Sequence, residues 1–109
     1  MNKFNAKSVT FYKQTFDSRK EGERWLYLRD REKRGQIRNL RRQVPFELIP
    51  AAPAAKLREL KYIADFVYEE DGKTVVEDVK GYKDGAAYRL FKAKQKVLYF
   101  RFGLLVREV

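Results

Sequence analysis

The spacing of apolar residues along the chain predicts two amphipathic helices. The first covers residues 18–34. It opens on a serine, a favoured N-cap, and Glu21 follows three residues later, as in a capping box. Gly35 supplies the left-handed residue that commonly ends a helix. The second helix covers residues 86–102 and ends at Gly103. Its apolar face consists of Leu90, Phe91, Val97, Leu98 and Phe102.

Runs of β-branched and aromatic residues predict strands around these helices. Residues 42–48 alternate between two faces, which places Arg42 on the same side as Val44, and Pro45 favours an edge position. An Asp-Gly pair at positions 71 and 72 is a strong hairpin signal between two further strands. The remaining strands are expected over residues 62–68, 74–80 and 104–109, with a short hairpin over residues 9–16.

The order helix, three strands, helix, strand predicts an α/β or α+β domain built on a small mixed sheet. We expect residues 1–109 to form a single domain. Residues 1–7 are interpreted as a loose basic arm, and residues 50–58, which begin with a Pro- and Ala-rich stretch, as a loop.

Charge and missing residue types restrict the chemistry. The 109 residues carry a formal net charge of +10, which favours an anionic partner such as nucleic acid. The chain has no cysteine and no histidine, so thiolate and imidazole metal sites and histidine catalysis are excluded. Oxygen ligands remain, and they favour Mg²⁺ or Mn²⁺. No apolar run approaches the roughly 18 residues that span a membrane. No membrane association and a cytoplasmic location are therefore expected.

The predicted hairpin has a geometric consequence for three charged residues. A two-residue turn places Asp65 directly opposite Asp78, and Lys80 shares that face. Opposed carboxylates are unfavourable unless one is protonated or a cation lies between them. A divalent ion there can polarise a phosphate and activate water, while Lys80 orients that water or stabilises developing charge. The alternative is a surface hairpin with incidental salt bridges.

Four further residues are candidates for accessory positions. Glu21 lies on the core-facing stripe of the first helix, or it is only a capping glutamate. Gln43 can reach the site from a neighbouring strand, or it is an ordinary strand residue. Lys94, within an apolar face, either extends to solvent or approaches the catalytic face. Glu77 faces Asp65 only if the hairpin register slips by one residue.

A basic surface for DNA is the next expectation. Several cations fall on one stripe of the second helix, in the loop before it, and at the start of the first long strand. They can follow a phosphate backbone, although a solvated helix face is the alternative. These residues are Lys83, Arg89, Lys92, Lys96, Arg41 and Arg42.

The ordered acidic residues resemble a known superfamily. Asp65 followed by Asp78-Val79-Lys80 resembles the D…(D/E)xK signature of the PD-(D/E)xK nucleases, although Ala64 replaces the nominal proline. The element order is similar to their restriction-endonuclease-like core. A closer resemblance, over residues 8–109, is to a small phage-associated group formerly described as a domain of unknown function. It is carried by Phe16-Asp17-Ser18 with Glu21, Gln43-Val44-Pro45-Phe46, Tyr62-Ile63-Ala64-Asp65-Phe66, Val76-Glu77-Asp78-Val79-Lys80-Gly81, Lys94, Lys96 and Gly103.

The resemblance implies Mg²⁺-dependent hydrolysis of phosphodiester bonds. Asp65, Asp78 and Glu21 would be metal ligands, Lys80 the catalytic lysine and Lys94 an accessory residue. The expected protein is a phage or prophage DNA endonuclease in the cytoplasm of a bacterial host. It would act on branched DNA like a Holliday-junction resolvase, a role that favours a homodimer. The alternatives are a non-catalytic DNA-binding module with the nuclease fold and a basic structural domain.

Overall fold

The computed structural model describes residues 8–11, 14–81 and 83–109, and the expected arm at residues 1–7 lies outside them. The two predicted helices and the main predicted strands are present, and the long strands extend beyond their predicted bounds. The elements are β1 (Val9–Phe11), β2 (Gln14–Phe16), α1 (Arg19–Lys33), β3 (Arg38–Ile49), a 3₁₀ turn (Pro53–Ala55), β4 (Leu60–Glu70), β5 (Lys73–Asp78), α2 (Gly85–Phe102) and β6 (Val106–Glu108).

The central sheet has four strands in the order β3-β4-β5-β6. The first three strands are antiparallel to their neighbours, whereas β6 pairs in parallel with β5. The pair β1-β2 forms a separate hairpin. The predicted α+β class, the mixed sheet and the order of helices and strands are therefore confirmed. Pro45 lies on β3, an edge strand of this sheet, where a residue without an N–H is tolerated.

Local capping explains where the two helices begin and end. The Ser18 hydroxyl accepts a hydrogen bond from the Glu21 backbone N–H at 3.1 Å, as the capping pattern predicted. Asp84 caps α2 and accepts from the N–H of Gly85 at 2.7 Å. Gly103 ends α2 with φ 70°, in the left-handed region that favours glycine.

The two helices cover opposite faces of the sheet, and each face has its own core. The α1 face buries Phe16, Trp25, Leu28, Ile37, Phe66 and Tyr68. The α2 face buries Leu48, Tyr62, Ala64, Val67, Val76, Phe91 and Leu98. Each sheet face is therefore closed by one helix.

The alternation of β3 is interrupted at Gln43, contrary to expectation. Val44 packs against the α2 core, but the guanidinium of Arg42 lies 4.1 Å from the ring centre of Phe16 in the α1 core. Gln43 between them has φ 54°, which lets the strand change the face it presents. The expectation that Arg42 and Val44 share a side was wrong because no glycine or Asx residue signals this left-handed position.

The connection from β3 to β4 keeps the predicted loop but gives it internal structure. Ala52 bridges Leu57, and the 3₁₀ turn lies between them. No described helix combines the length and apolar character that crossing a bilayer requires.

Candidate active site

The β4–β5 hairpin brings Asp65 and Asp78 together at the end of its ladder. The pairing runs from Glu70 with Lys73 to Phe66 with Glu77, which confirms the two-residue turn and excludes the one-residue slip. At the next position, the side-chain carboxylates accept the hydrogen bonds from backbone N–H groups. The Asp65 N–H donates to Asp78 Oδ1 at 3.0 Å, and the Val79 N–H donates to Asp65 Oδ2 at 2.9 Å.

Lys80 lies against this pair from the α2 side. Its Nζ is 2.9 Å from Asp78 Oδ2 and 3.7 Å from the ring centre of Phe91. The Lys20 ammonium donates to the Lys80 carbonyl oxygen at 2.8 Å, which ties the start of α1 to the segment after β5. The amine of Lys80 is therefore held by a carboxylate and an aromatic face, beside both acidic residues.

Glu21 and Gln43 extend the cluster on the other side of Asp65. Glu21 is buried in the first turn of α1, with 4% of its surface exposed. The Gln43 side-chain amide donates to Glu21 Oε2 at 3.2 Å and to Asp65 Oδ1 at 3.1 Å. The left-handed conformation of Gln43 thus coincides with the position from which one amide joins two carboxylates.

The environment makes ionisation of Asp65 and Glu21 unfavourable. Burial raises the pKa of Asp65 well above its ordinary value, and the charges of Asp78 and Glu21 add to the effect. Burial also raises the pKa of Glu21, with a further contribution from Asp17 that Arg42 partly opposes. Anions held close together in a buried place are stabilised by a cation, and Lys80 supplies only one positive charge.

Two residues, rather than three, supply oxygen ligands that suit a hard divalent cation. Over the described ranges, no three Asp, Glu, His or Cys side chains are grouped so that together they could hold a metal ion. Asp65 and Asp78 are adjacent, and their oxygens contact the Gln43 amide, two backbone N–H groups and the Lys80 ammonium. A carboxylate oxygen can accept more than one contact, so these groups do not prevent metal binding. Mg²⁺ is commonly bound through one or two carboxylates, with water and substrate phosphate as the other ligands. Glu21 is joined to Asp65 through the Gln43 amide.

Glu77 lies outside this cluster, on the α1 face. Arg24 of α1 donates two hydrogen bonds to its carboxylate, at 2.8 and 2.7 Å, and the Tyr68 hydroxyl donates a third. The guanidinium of Arg107 is 3.7 Å away. Glu77 is therefore occupied in an ion pair that attaches α1 and β6 to the sheet, and the accessory position expected for it is not observed.

The predicted basic residues fall into three groups. Lys94 lines a cleft with Asp78 and Lys80, so it approaches the acidic pair rather than extending away from it. Lys92 Nζ is 3.4 Å from Glu108 Oε2, and the Arg42 guanidinium donates to the Gln14 side chain and to the Thr15 carbonyl. Both side chains therefore bind other residues of the protein. The expected DNA contact by Arg42 is thus not supported by its geometry. The exposed cations are Arg41, Lys83, Arg89 and Lys96.

Three residues near the site were not identified from the sequence. Tyr62 is buried, and its hydroxyl, which faces Asp78, makes no well-formed hydrogen bond within the described ranges. Lys61 lines the same cleft as Asp78, and Lys20 contacts the Lys80 carbonyl. Tyr62 belongs to a segment that carries the resemblance, but nothing in the sequence gives Tyr62 or Lys61 a role, because their nearness to Asp78 depends on how β4 lies against α2. The signal for Lys20 is its place beside Glu21 in the first turn of α1.

Comparison with known proteins places the chain in a family. Neither a curated protein nor a solved structure matches it. A family model described as "Protein of unknown function (DUF1064)" matches residues 1–107. Since the match spans nearly all of the 109 residues, the chain belongs to the DUF1064 family, whose function is unknown.

Proposed function

We propose that the protein is a Mg²⁺-dependent DNA endonuclease of the PD-(D/E)xK type. The observation that carries the proposal is the arrangement of Asp65, Asp78 and Lys80. Two carboxylates meet at the end of one hairpin, and a lysine amine lies 2.9 Å from the second of them. This arrangement has the residue types and order of the D…DxK signature, and it needs neither histidine nor cysteine.

Each residue of the site would have a separate role in hydrolysis. Asp65 and Asp78 would hold the metal, which when bound would neutralise phosphate charge and lower the pKa of a water. Gln43 keeps the Asp65 carboxylate in place through its amide hydrogen bond. Lys80 would leave Asp78 Oδ2 as the metal binds and orient the attacking water or stabilise the developing charge on phosphate. Glu21, held by Gln43, would add a third acidic group beside this pair.

DNA as the substrate follows from charge. The net charge of +10 and the exposed Arg41, Lys83, Arg89 and Lys96 suit a polyanion. A phage or prophage origin, a cytoplasmic location and action on branched DNA as a homodimer are part of the same proposal, and they rest on the resemblance stated from the sequence.

A cleavage assay tests the proposal. Supercoiled, linear, flapped and four-way-junction DNA are incubated with the protein in Mg²⁺, Mn²⁺ or EDTA. We expect cleavage with metal, none in EDTA, and a loss of at least about 100-fold for Asp78→Asn, since that variant removes a metal ligand. Asp71→Asn is the matched control, because Asp71 is an exposed carboxylate in the turn of the same hairpin, at φ 52° that asparagine tolerates.

A non-catalytic DNA-binding module is the second candidate. It is favoured by the two-carboxylate donor set and by Lys80, whose amine already pairs with Asp78. Tight DNA binding without cleavage in any metal would support this second reading. Cleavage that persists in EDTA or in Asp78→Asn would contradict the mechanism proposed above.

A further inference from the structure

A cleft beside Asp78 extends from the acidic site into a space that the mechanism above does not use. It lies between the first residues of β4 and the first half of α2, and its volume is about 310 Å³. Asp78 and Lys80 form one part of its lining, so whatever enters the cleft contacts the acidic site. Its size is at the lower end of the range of small-molecule pockets, which suits a group no larger than a single nucleotide.

Two of the cations that line the cleft are available to a ligand. Lys61 comes from β4 and Lys94 from α2, and within the described ranges neither forms an ion pair. Lys80 adds a third ammonium, although this one is paired with Asp78. Two unpaired lysines on facing elements form a site that attracts an anion such as a phosphate.

The apolar lining faces the same space. Ile63 is 46% exposed and Leu90 is 54% exposed, and both line the cleft. Two half-exposed aliphatic side chains beside two unpaired lysines suit a ligand that is flat and apolar at one end and anionic at the other. A nucleotide has both parts, whereas a free phosphate uses only the lysines.

A third feature of the cleft is an unused polar group. Tyr62 lines it with 5% of its surface exposed; its hydroxyl faces Asp78, and among the described residues it makes no well-formed hydrogen bond. A buried hydroxyl without a partner is unfavourable, so a ligand that supplies an acceptor is favoured. Phosphate oxygens and base carbonyls both supply one.

We propose that the cleft binds one unpaired deoxynucleotide next to the phosphate that is cut. Its phosphate contacts Lys61 and Lys94, and its base lies against Ile63 and Leu90. The inference rests on the proposed nuclease function for the position of the cut, but not for the binding itself. A paired base must leave its stack before it can enter such a cleft. The substrate class is therefore DNA with unpaired nucleotides, in flaps, junctions or single strands, rather than intact duplex.

Isoleucine methyl NMR tests the location directly. The chain has three isoleucines: Ile37 is 2% exposed, Ile49 is 50% exposed and outside the cleft, and Ile63 is in it. A short oligothymidylate is added to the full chain in EDTA, where cleavage does not occur. The Ile63 methyl signal is expected to shift and those of Ile37 and Ile49 to stay. A stationary Ile63 signal, or an equal shift with inorganic phosphate alone, would overturn the proposal.

Binding variants test the preference for unpaired DNA. Fluorescence anisotropy in EDTA compares single-stranded, flapped and blunt duplex DNA. Leu90→Ala and Ile63→Ala are each expected to weaken single-stranded binding about tenfold and duplex binding less than twofold. Leu57→Ala is the control, because Leu57 is 62% exposed and lies outside the cleft. Because Leu90 and Ile63 are half-exposed, both variants are expected to fold, which circular dichroism checks.

The outcomes separate the two proposals. Unchanged preference in both cleft variants, or no DNA binding at all, overturns the cleft proposal. Absence of cleavage in every metal overturns the nuclease function alone, since the binding measurements contain no metal.

Discussion

Breaking the ion pair between Arg24 and Glu77 is expected to cost more stability than any surface change on α1. Glu77 is fully buried, and Arg24 donates hydrogen bonds of 2.8 and 2.7 Å to it. Removing one member of a buried pair costs about 3–5 kcal/mol when the other charge is left unpaired. After loss of Arg24, the Glu77 carboxylate keeps the Tyr68 hydrogen bond and Arg107 at 3.7 Å, so the cost lies at the lower end of that range. The Arg24 side chain is 24% exposed and can regain water, but the carboxylate cannot. Arg24→Met should therefore cost about 3 kcal/mol and Glu77→Gln about 2 kcal/mol.

A double-mutant cycle isolates the pair. The combined Arg24→Met, Glu77→Gln variant should be more stable than the sum of the single losses predicts, with a coupling energy of about 2 kcal/mol. Urea unfolding followed by the fluorescence of Trp25, the single tryptophan and 8% exposed, measures each value. Arg34→Met is the control, because its pair with Asp30 is largely exposed and should contribute less than about 1 kcal/mol. Additive losses, or a loss as large in the control, would refute the reasoning.

Three further predictions concern the site and the hairpin. Asp65→Asn should abolish cleavage yet raise the unfolding free energy in EDTA by about 1–2 kcal/mol at pH 8, because burial disfavours the ionised carboxyl. Mg²⁺ should raise the melting temperature of the native chain but not of this variant. An Asp65→Asn variant that is less stable than the native chain in EDTA would contradict the prediction. Gln43→Ala should reduce kcat more than DNA affinity, because the amide positions Asp65. Gln43→Asn is the control for folding, because asparagine tolerates the positive φ of this position. Equal losses in kcat and in DNA affinity would exclude a positioning role. The Arg31 hydrogen bond lowers the pKa of Glu70, so the stability contributed by the pair is present at neutral pH and is lost progressively as pH falls below the ordinary value near 4.5 and through the lowered one. Urea unfolding should show Glu70→Gln less stable than the native chain by no more than about 1 kcal/mol at pH 7, with a difference that shrinks as pH falls below 4.5.

Local signals explain which parts of the fold were predictable. The Asp-Gly turn determines the hairpin register, and the register alone brings Asp65 opposite Asp78. The capping serine and the glycine after α2 mark helix ends through contacts within one or two turns. These features depend on residues close together in the chain, so the sequence pattern contains them.

Features that depend on distant residues were not predictable. The pairing of Glu77 with Arg24 joins residues 53 positions apart, and the pattern indicated only that Glu77 faces away from Asp65. The change of face at Gln43 needs a positive φ at a residue type that rarely adopts one. The cleft at Lys61 exists because two elements pack side by side, and no spacing along the chain encodes that packing.

The irregular backbone of β3 has a consequence for association between copies. At twelve residues β3 is a long edge strand, and such an edge presents free N–H and C=O groups to another chain. Asn39 and Gln43 have φ 56° and 54°, and Pro45 has no N–H to donate. These three positions interrupt the regular row of donors that a partner strand would need. The backbone distortion that aims the Gln43 amide at two carboxylates thus also protects this edge from aggregation.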